Sequence, residues 1–119
     1  MNACLAYASP FDIGISLHLA VPGIQENLAW VLGAPTLREA YRLARPFHLR
    51  EAARKIRCPV IVLHGTEDHI CDFSATYEIA RRVSAPLTVH PLVGVDHDAA
   101  NPAPARFARP GVEWLLSHL

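Results

Sequence analysis

Three cysteines, Cys4, Cys58 and Cys71, are scattered over 119 residues, and no C-x-x-C occurs among them. An odd, unclustered set excludes a disulfide framework and predicts reduced thiols in a cytoplasmic protein. Net charge is missing too: eleven Lys and Arg balance eleven Asp and Glu. With neither a basic face nor a polybasic segment, no nucleic-acid or membrane partner is expected. Long apolar runs are absent. The best candidate for a membrane span, residues 3–24, is broken by Pro10, Asp12, His18 and Pro22. Ala6-Tyr7-Ala8 faintly resembles a signal cleavage site, but it lacks a preceding basic segment and a sufficient apolar stretch, so it is not read as one. There is no internal repeat, no low-complexity tract and no second domain.

What remains is 51% apolar, which favours a packed globule over disorder. The length suits one domain with a modest core. ACLAYA, residues 3–8, reads as a short buried strand ended by Ser9-Pro10. Residues 11–23 read as irregular, punctuated by Gly14, Pro22 and Gly23. Ile24, Leu28, Val31 and Leu32 recur at helical spacing, with Gly33 in the position of a C-terminal cap. Thr36 to Glu39 fits a capping box, which starts a second helix that stops at Pro46. A third, over about 48–55, leads to the next strand. Three helices in succession suggest an inserted segment, a candidate lid over about 22–55.

PVIVLH, residues 59–64, shows no alternation, as expected of a strand buried on both faces of a parallel sheet. Phe73, Tyr77, Ala80 and Val83 share one helical face, and Asp72 or Ser74 is placed to cap its start. PLTVHPL, residues 86–92, is a third strand, weakened at its far end by Pro91. Pro110 is expected to open the last helix, with Val112, Leu115, Leu116 and Leu119 as its apolar stripe. Strands alternating with helices predict an α/β chain: parallel strands, right-handed crossovers, and the loops after the strands at one edge.

Two of those loops carry chemistry. In CPVIVLHGTEDHICD a strand runs into Gly65, with Asp68 three residues beyond. After the next strand comes GVDHDAANP, with His97. An imidazole acting as general base needs a partner that fixes its tautomer and stabilises its cation, and Asp68 and His97 supply that pair if their strands are neighbours. The bland alternative makes Asp68 a turn cap and His97 a solvated loop residue. Asp96 and Asp98 compete as partners for His97, although Asp98 and Asn101 also suit turn or cap hydrogen bonds. Glu67 and His69 read as exposed or lining a cleft. His64 and His90 read as packed or hydrogen-bonded rather than catalytic.

A metal site built from His64, Asp68, His69, Asp72, His97 and Asp98 has acceptable ligand types, but the spacings match no compact motif, so no metal and no cofactor are expected. A nucleophile is harder to find. No G-x-S-x-G occurs in the sequence. Cys71 and Ser74 do not lie on a strand-to-helix elbow, and Ser9 is followed by Pro10, which removes a backbone donor where an oxyanion would need one.

The stretches IRCPVIVLHGTEDHICDFSATYEIARRV and GVDHDAANPAPARFARPGVEWLLSHL resemble the C-terminal half of the α/β-hydrolase family. The nearest branch is that of dienelactone-hydrolase-like and pseudooxynicotine-hydrolase-like enzymes. ACLAYASPFDIG is similar to the strand after the nucleophile helix in that family, and residues 15–54 match loosely, where such enzymes often carry cap helices. The resemblance implies a partial doubly wound parallel sheet of about three strands with flanking helices. It makes Asp68 the triad acid and His97 the triad base, in a chain that begins after the nucleophile elbow. The implied activity is that of a serine-type hydrolase acting on an ester, a lactone or a C–C bond next to a carbonyl. Its partner is a small-molecule substrate once the missing half completes the site. The alternative is a non-catalytic interaction module that associates through the edge of the strand at Ala3–Ala8.

Overall fold

A computed structural model of the chain describes residues 2–97 and 104–118. Three strands, β1 (Cys4–Tyr7), β2 (Val60–Gly65) and β3 (Leu87–Leu92), form one sheet in the order β1-β2-β3. Both pairings are parallel, with Cys4 opposite Val60 and Val60 opposite Leu87. The expected α/β sheet is therefore present, and all three strands point their carboxyl ends at one edge.

β2 sits in the middle because nothing in it resists burial; all six of its residues are buried. Alternate side chains leave the two faces of a strand. Val60 and Val62 pack with Phe11, Ala53, Ala75 and Ile79. Ala53 belongs to α4 (Arg50–Arg54), and Ala75 and Ile79 to α5 (Ser74–Arg82). Leu63 faces the other way, toward α6 (Pro104–Leu116), where a Cβ on Gly111 would lie 2.5 Å from Leu5 and 3.0 Å from Leu63. Helices thus cover both faces, and each fully buried Val or Leu contributes roughly 1.5–3 kcal/mol.

Between β1 and β2 lie four helices rather than three. The segment read as irregular contains α1 (Ile13–Leu19), because Asp12 caps it by accepting from the N–H groups of Gly14 and Ile15. A lone Asp two residues before a Gly is a weak sequence signal for a helix start, and the half-exposed Arg50 guanidinium also lies 2.8 Å from Asp12. α2 (Pro22–Val31) opens with Pro22 at a helix-compatible first position. It closes with Gly33 at a positive φ of 66°, Gly33 N–H bonding Trp30 C=O and Ala34 N–H bonding Ala29 C=O. That is the double-bonded C-terminal cap expected of a left-handed glycine. α3 (Leu37–Ala44) starts at Thr36, whose hydroxyl accepts from Glu39 N–H. Leu17, Ala40 and Ala44 form the centre of this helical cluster.

The last helix departs from expectation. Pro110 lies inside α6 rather than at its start, at the cost of the hydrogen bond that its nitrogen cannot donate. Pro104 takes the first position instead. The expected apolar stripe is covered in part: Leu115 is half-buried, whereas Val112 is 50% and Leu116 65% exposed. The helix meets the sheet through buried Gly111, whose missing side chain lets the backbone approach Leu5 and Leu63. Leu119, Asp98 and Asn101 lie outside the described residues. No helix among the described residues is long and apolar enough to cross a membrane.

Asp12→Ala is expected to cost about 1–3 kcal/mol in a urea titration at neutral pH, because it removes a cap and a partly buried acceptor together. Asp12→Asn keeps the cap and should cost less than half as much, since the half-exposed Arg50 makes a weak ion pair. Equal losses for the two variants would place the stability in the ion pair instead.

Candidate functional site

Asp68 occupies the loop after β2, and its side chain is wholly buried. Its surroundings explain how a carboxylate is held there. Oδ1 accepts from the backbone N–H groups of Ile70 at 2.9 Å and Cys71 at 2.7 Å. Oδ2 lies 2.9 Å from His97 Nδ1 and 3.1 Å from His64 Nε2. Four donors meet the roughly four lone-pair positions of a carboxylate, which offsets the cost of removing its charge from water.

The partners settle both tautomers. A carboxylate only accepts, so His97 carries its proton on Nδ1 and leaves Nε2 with a free lone pair. No described residue bonds His97 Nε2, and the side chain is 30% exposed. His64 Nε2 faces two acceptors, Asp68 Oδ2 and the Cys71 carbonyl oxygen at 2.7 Å, so the proton sits there. His64 Nδ1 then accepts from the Thr76 hydroxyl of α5 at 2.8 Å. Phe73 packs edge-on against the same ring.

His97 reaches Asp68 because the loops after β2 and β3 are fastened together. Thr66 N–H bonds Leu92 C=O, and Glu67 N–H bonds Val95 C=O. Gly94 N–H bonds the Thr66 hydroxyl at 2.9 Å, with Gly94 at a positive φ of 70° that suits glycine. Asp96 Oδ1 accepts from His69 N–H at 3.1 Å and from His97 N–H at 2.6 Å. These backbone donors, His97 first, hold the Asp96 carboxyl below its ordinary value. Gly65 is obligatory here: a Cβ would stand 2.2 Å from the Val95 carbonyl oxygen, so any side chain would force the loops apart.

The structure thus brings Asp68 and His97 together and gives Asp96 a different task, pinning the loop backbone. Glu67 and His69 are exposed, and His90 is half-buried on β3. Asp72 accepts from Ser74 N–H at 2.9 Å, forming the turn that leads into α5. The Ser74 bonds lower its carboxyl below the ordinary range. Ser9 donates to Tyr7 C=O. Among the described residues no group of side chains is placed to hold a metal ion. Sequence reasoning missed His64 and Thr76 as supports of Asp68, and Gly65 as a contact point. Only the H-G-x-x-D spacing hinted at the first, since residues i and i+4 meet here through a turn rather than a helix.

Cys71 is a buried thiol in the same loop. Burial, and then the Asp68 charge, push it up to about 11.

No family model matches the chain, and no curated protein matches it in sequence. Solved structures do. All of the chain superposes on 34% of 2,6-dihydroxy-pseudo-oxynicotine hydrolase with a TM-score of 0.85 at 23% identity. It also superposes on 20% of an acylaminoacyl peptidase of Pyrococcus horikoshii, with a TM-score of 0.75 at 14% identity. The esterase domain of a Rhodothermus marinus protein matches over 96% of the chain and 50% of its own, with a TM-score of 0.64 at 21% identity. The chain therefore has the fold of the C-terminal part of an α/β hydrolase, and it spans about a third of the first of these proteins.

Alkylation of Cys71 by iodoacetamide, followed by mass spectrometry, should stay negligible at neutral pH and rise only as pH nears 11. The unfolded thiol, at the ordinary 9.0, loses its proton first, so this group withdraws folding stability as pH climbs from 9.0 to about 11. Rapid labelling of the folded chain at pH 7 would contradict this.

Proposed function

We propose that the chain supplies the acid and base, Asp68 and His97, of a Ser-His-Asp hydrolytic site. The reaction is hydrolysis of an ester, a lactone or a C–C bond next to a carbonyl, and the serine belongs to a segment outside these 119 residues. The observation that carries this reading is the 2.9 Å bond from His97 Nδ1–H to a buried Asp68 oxygen, with Nε2 bonded by no described residue. The 2,6-dihydroxy-pseudo-oxynicotine hydrolase likeness and the absence of G-x-S-x-G in this sequence support it as well.

The roles follow from the protonation states. His97 Nε2 takes the serine hydroxyl proton as the serine oxygen bonds the carbonyl carbon. The imidazolium that forms faces Asp68, which stabilises it without itself taking the proton. His97 then returns the proton to the leaving atom, and water repeats the cycle on the acyl intermediate. In the same reading α2, α3 and α4 are a cap-like insertion over about 22–55, and the substrate is a small molecule.

A second reading, a non-catalytic module joined through its sheet edge, draws on one observation: β1 pairs with β2 and with no other described strand. Sedimentation of the isolated chain separates the two. A defined oligomer favours the module, and a monodisperse monomer removes it.

Translation of the DNA and transcript ahead of Met1 in all frames is expected to yield G-x-S-x-G roughly 20–35 residues before Ala3. In the enzyme so completed, Asp68→Asn should lower kcat for an activated ester on the order of 10⁴-fold, and His97→Ala should lower it further, on the order of 10⁶-fold. The isolated chain should hydrolyse it at the background rate. Turnover that survives His97→Ala would remove His97 from the base role.

A further inference from the structure

A histidine buried as deeply as His64 invites a question that packing does not answer. Its side chain is 0% exposed, and a polar ring in that position is costly unless every nitrogen is bonded. An aromatic hydrocarbon would fill the space beside Phe73 without that cost. What the imidazole adds is a shared N–H, 2.7 Å from the Cys71 carbonyl oxygen and 3.1 Å from Asp68 Oδ2, the same carboxylate oxygen that receives His97 Nδ1–H. Thr76 holds the ring by donating to Nδ1, and the Cys71 carbonyl holds it at Nε2.

We infer that His64 is a positioning residue for His97, acting through Asp68: by sharing Oδ2 it limits how strongly the carboxylate draws on the His97 Nδ1 proton. The inference rests on the reading of Asp68 and His97 as acid and base. Two donors on one oxygen compete for the same electron density, so each bond is weaker than it would be alone, and such networks are not the sum of their pairs. A buried carboxylate with only three donors would be a stronger acceptor. It would draw the Nδ1 proton toward itself, whereas a triad acid must stay ionised and leave that proton on the imidazole. Thr76 reinforces the effect, because a hydroxyl donating to Nδ1 polarises the ring and makes Nε2–H the better donor. Among the described residues, Asp96 faces the backbone N–H groups of His69 and His97, and Asp72 stands at the entry to α5.

The test uses the full 119-residue chain, labelled with ¹⁵N at histidine, and reads the His97 Nδ1–H proton resonance and its ¹⁵N correlation. His64→Phe, which keeps an aromatic ring and removes the donor, is expected to move the His97 Nδ1–H resonance downfield as its bond to Asp68 tightens. Thr76→Val should move it in the same direction by less. His64→Gln, whose amide again donates toward Oδ2, should return it most of the way to the wild-type position. If the resonance stays in place or moves upfield in His64→Phe while the backbone spectrum remains that of the folded chain, the inference is overturned. If His64→Phe fails to fold, Thr76→Val and His64→Gln decide the matter: an unmoved resonance in Thr76→Val overturns it equally. Asp68→Asn is the control on the underlying reading. It should move the His97 resonance strongly upfield, and its failure to do so would remove the acid–base pair itself rather than the role of His64.

Discussion

A carboxylate with no exposed surface is affordable only if its charge is met on every side, and the Asp68 carboxylate is the group around which this edge of the molecule is organised. Two backbone N–H groups on Oδ1 require the 68–71 loop to wind tightly about it. Two imidazoles on Oδ2 tie in the last turn of β2 and the loop after β3. Through Thr76 the same network reaches α5. Removing any one donor leaves a buried charge less compensated, so the loops are held by electrostatics as much as by packing.

The sheet makes this arrangement possible. β2 and β3 are parallel neighbours in register from Val60 opposite Leu87 to Gly65 opposite Leu92. Their following loops therefore leave the sheet side by side. The ladder continues past the strands, through Thr66 N–H to Leu92 C=O and Glu67 N–H to Val95 C=O. At Gly65 the two backbones come so close that no side chain fits between them. The contact of His97 with Asp68 is thus preorganised by backbone hydrogen bonds between the two loops.

Much of this was legible beforehand, for reasons that differ by element. The run PVIVLH is apolar without alternation, and only a strand buried on both faces accommodates that. Gly33 and Thr36 are cap residues with local mechanisms, and the structure uses both as caps. α1 was not legible, because a lone Asp12 is a weak cap signal and its Arg50 partner lies far along the chain. The start of α6 was misplaced because Pro110 suits a first helical position, and Pro104 suits it equally. Its apolar spacing pointed to Val112 and Leu116, whereas the sheet selected Gly111, the residue whose lack of a side chain permits contact.

By itself, the sequence determined an α/β chain with parallel strands, and it placed Asp68 and His97 at the same edge. Periodicity and punctuation are local properties, and parallel strands fix which ends share an edge. Tertiary structure alone decided that Asp68, rather than Asp96, is the partner of His97. It also made a second histidine, His64, part of the same oxygen's coordination. Hydrogen bonds of that kind depend on distances of about 3 Å between residues from separate loops. Such distances are set by the register of β2 on β3 and by the close approach at Gly65, neither of which local sequence encodes.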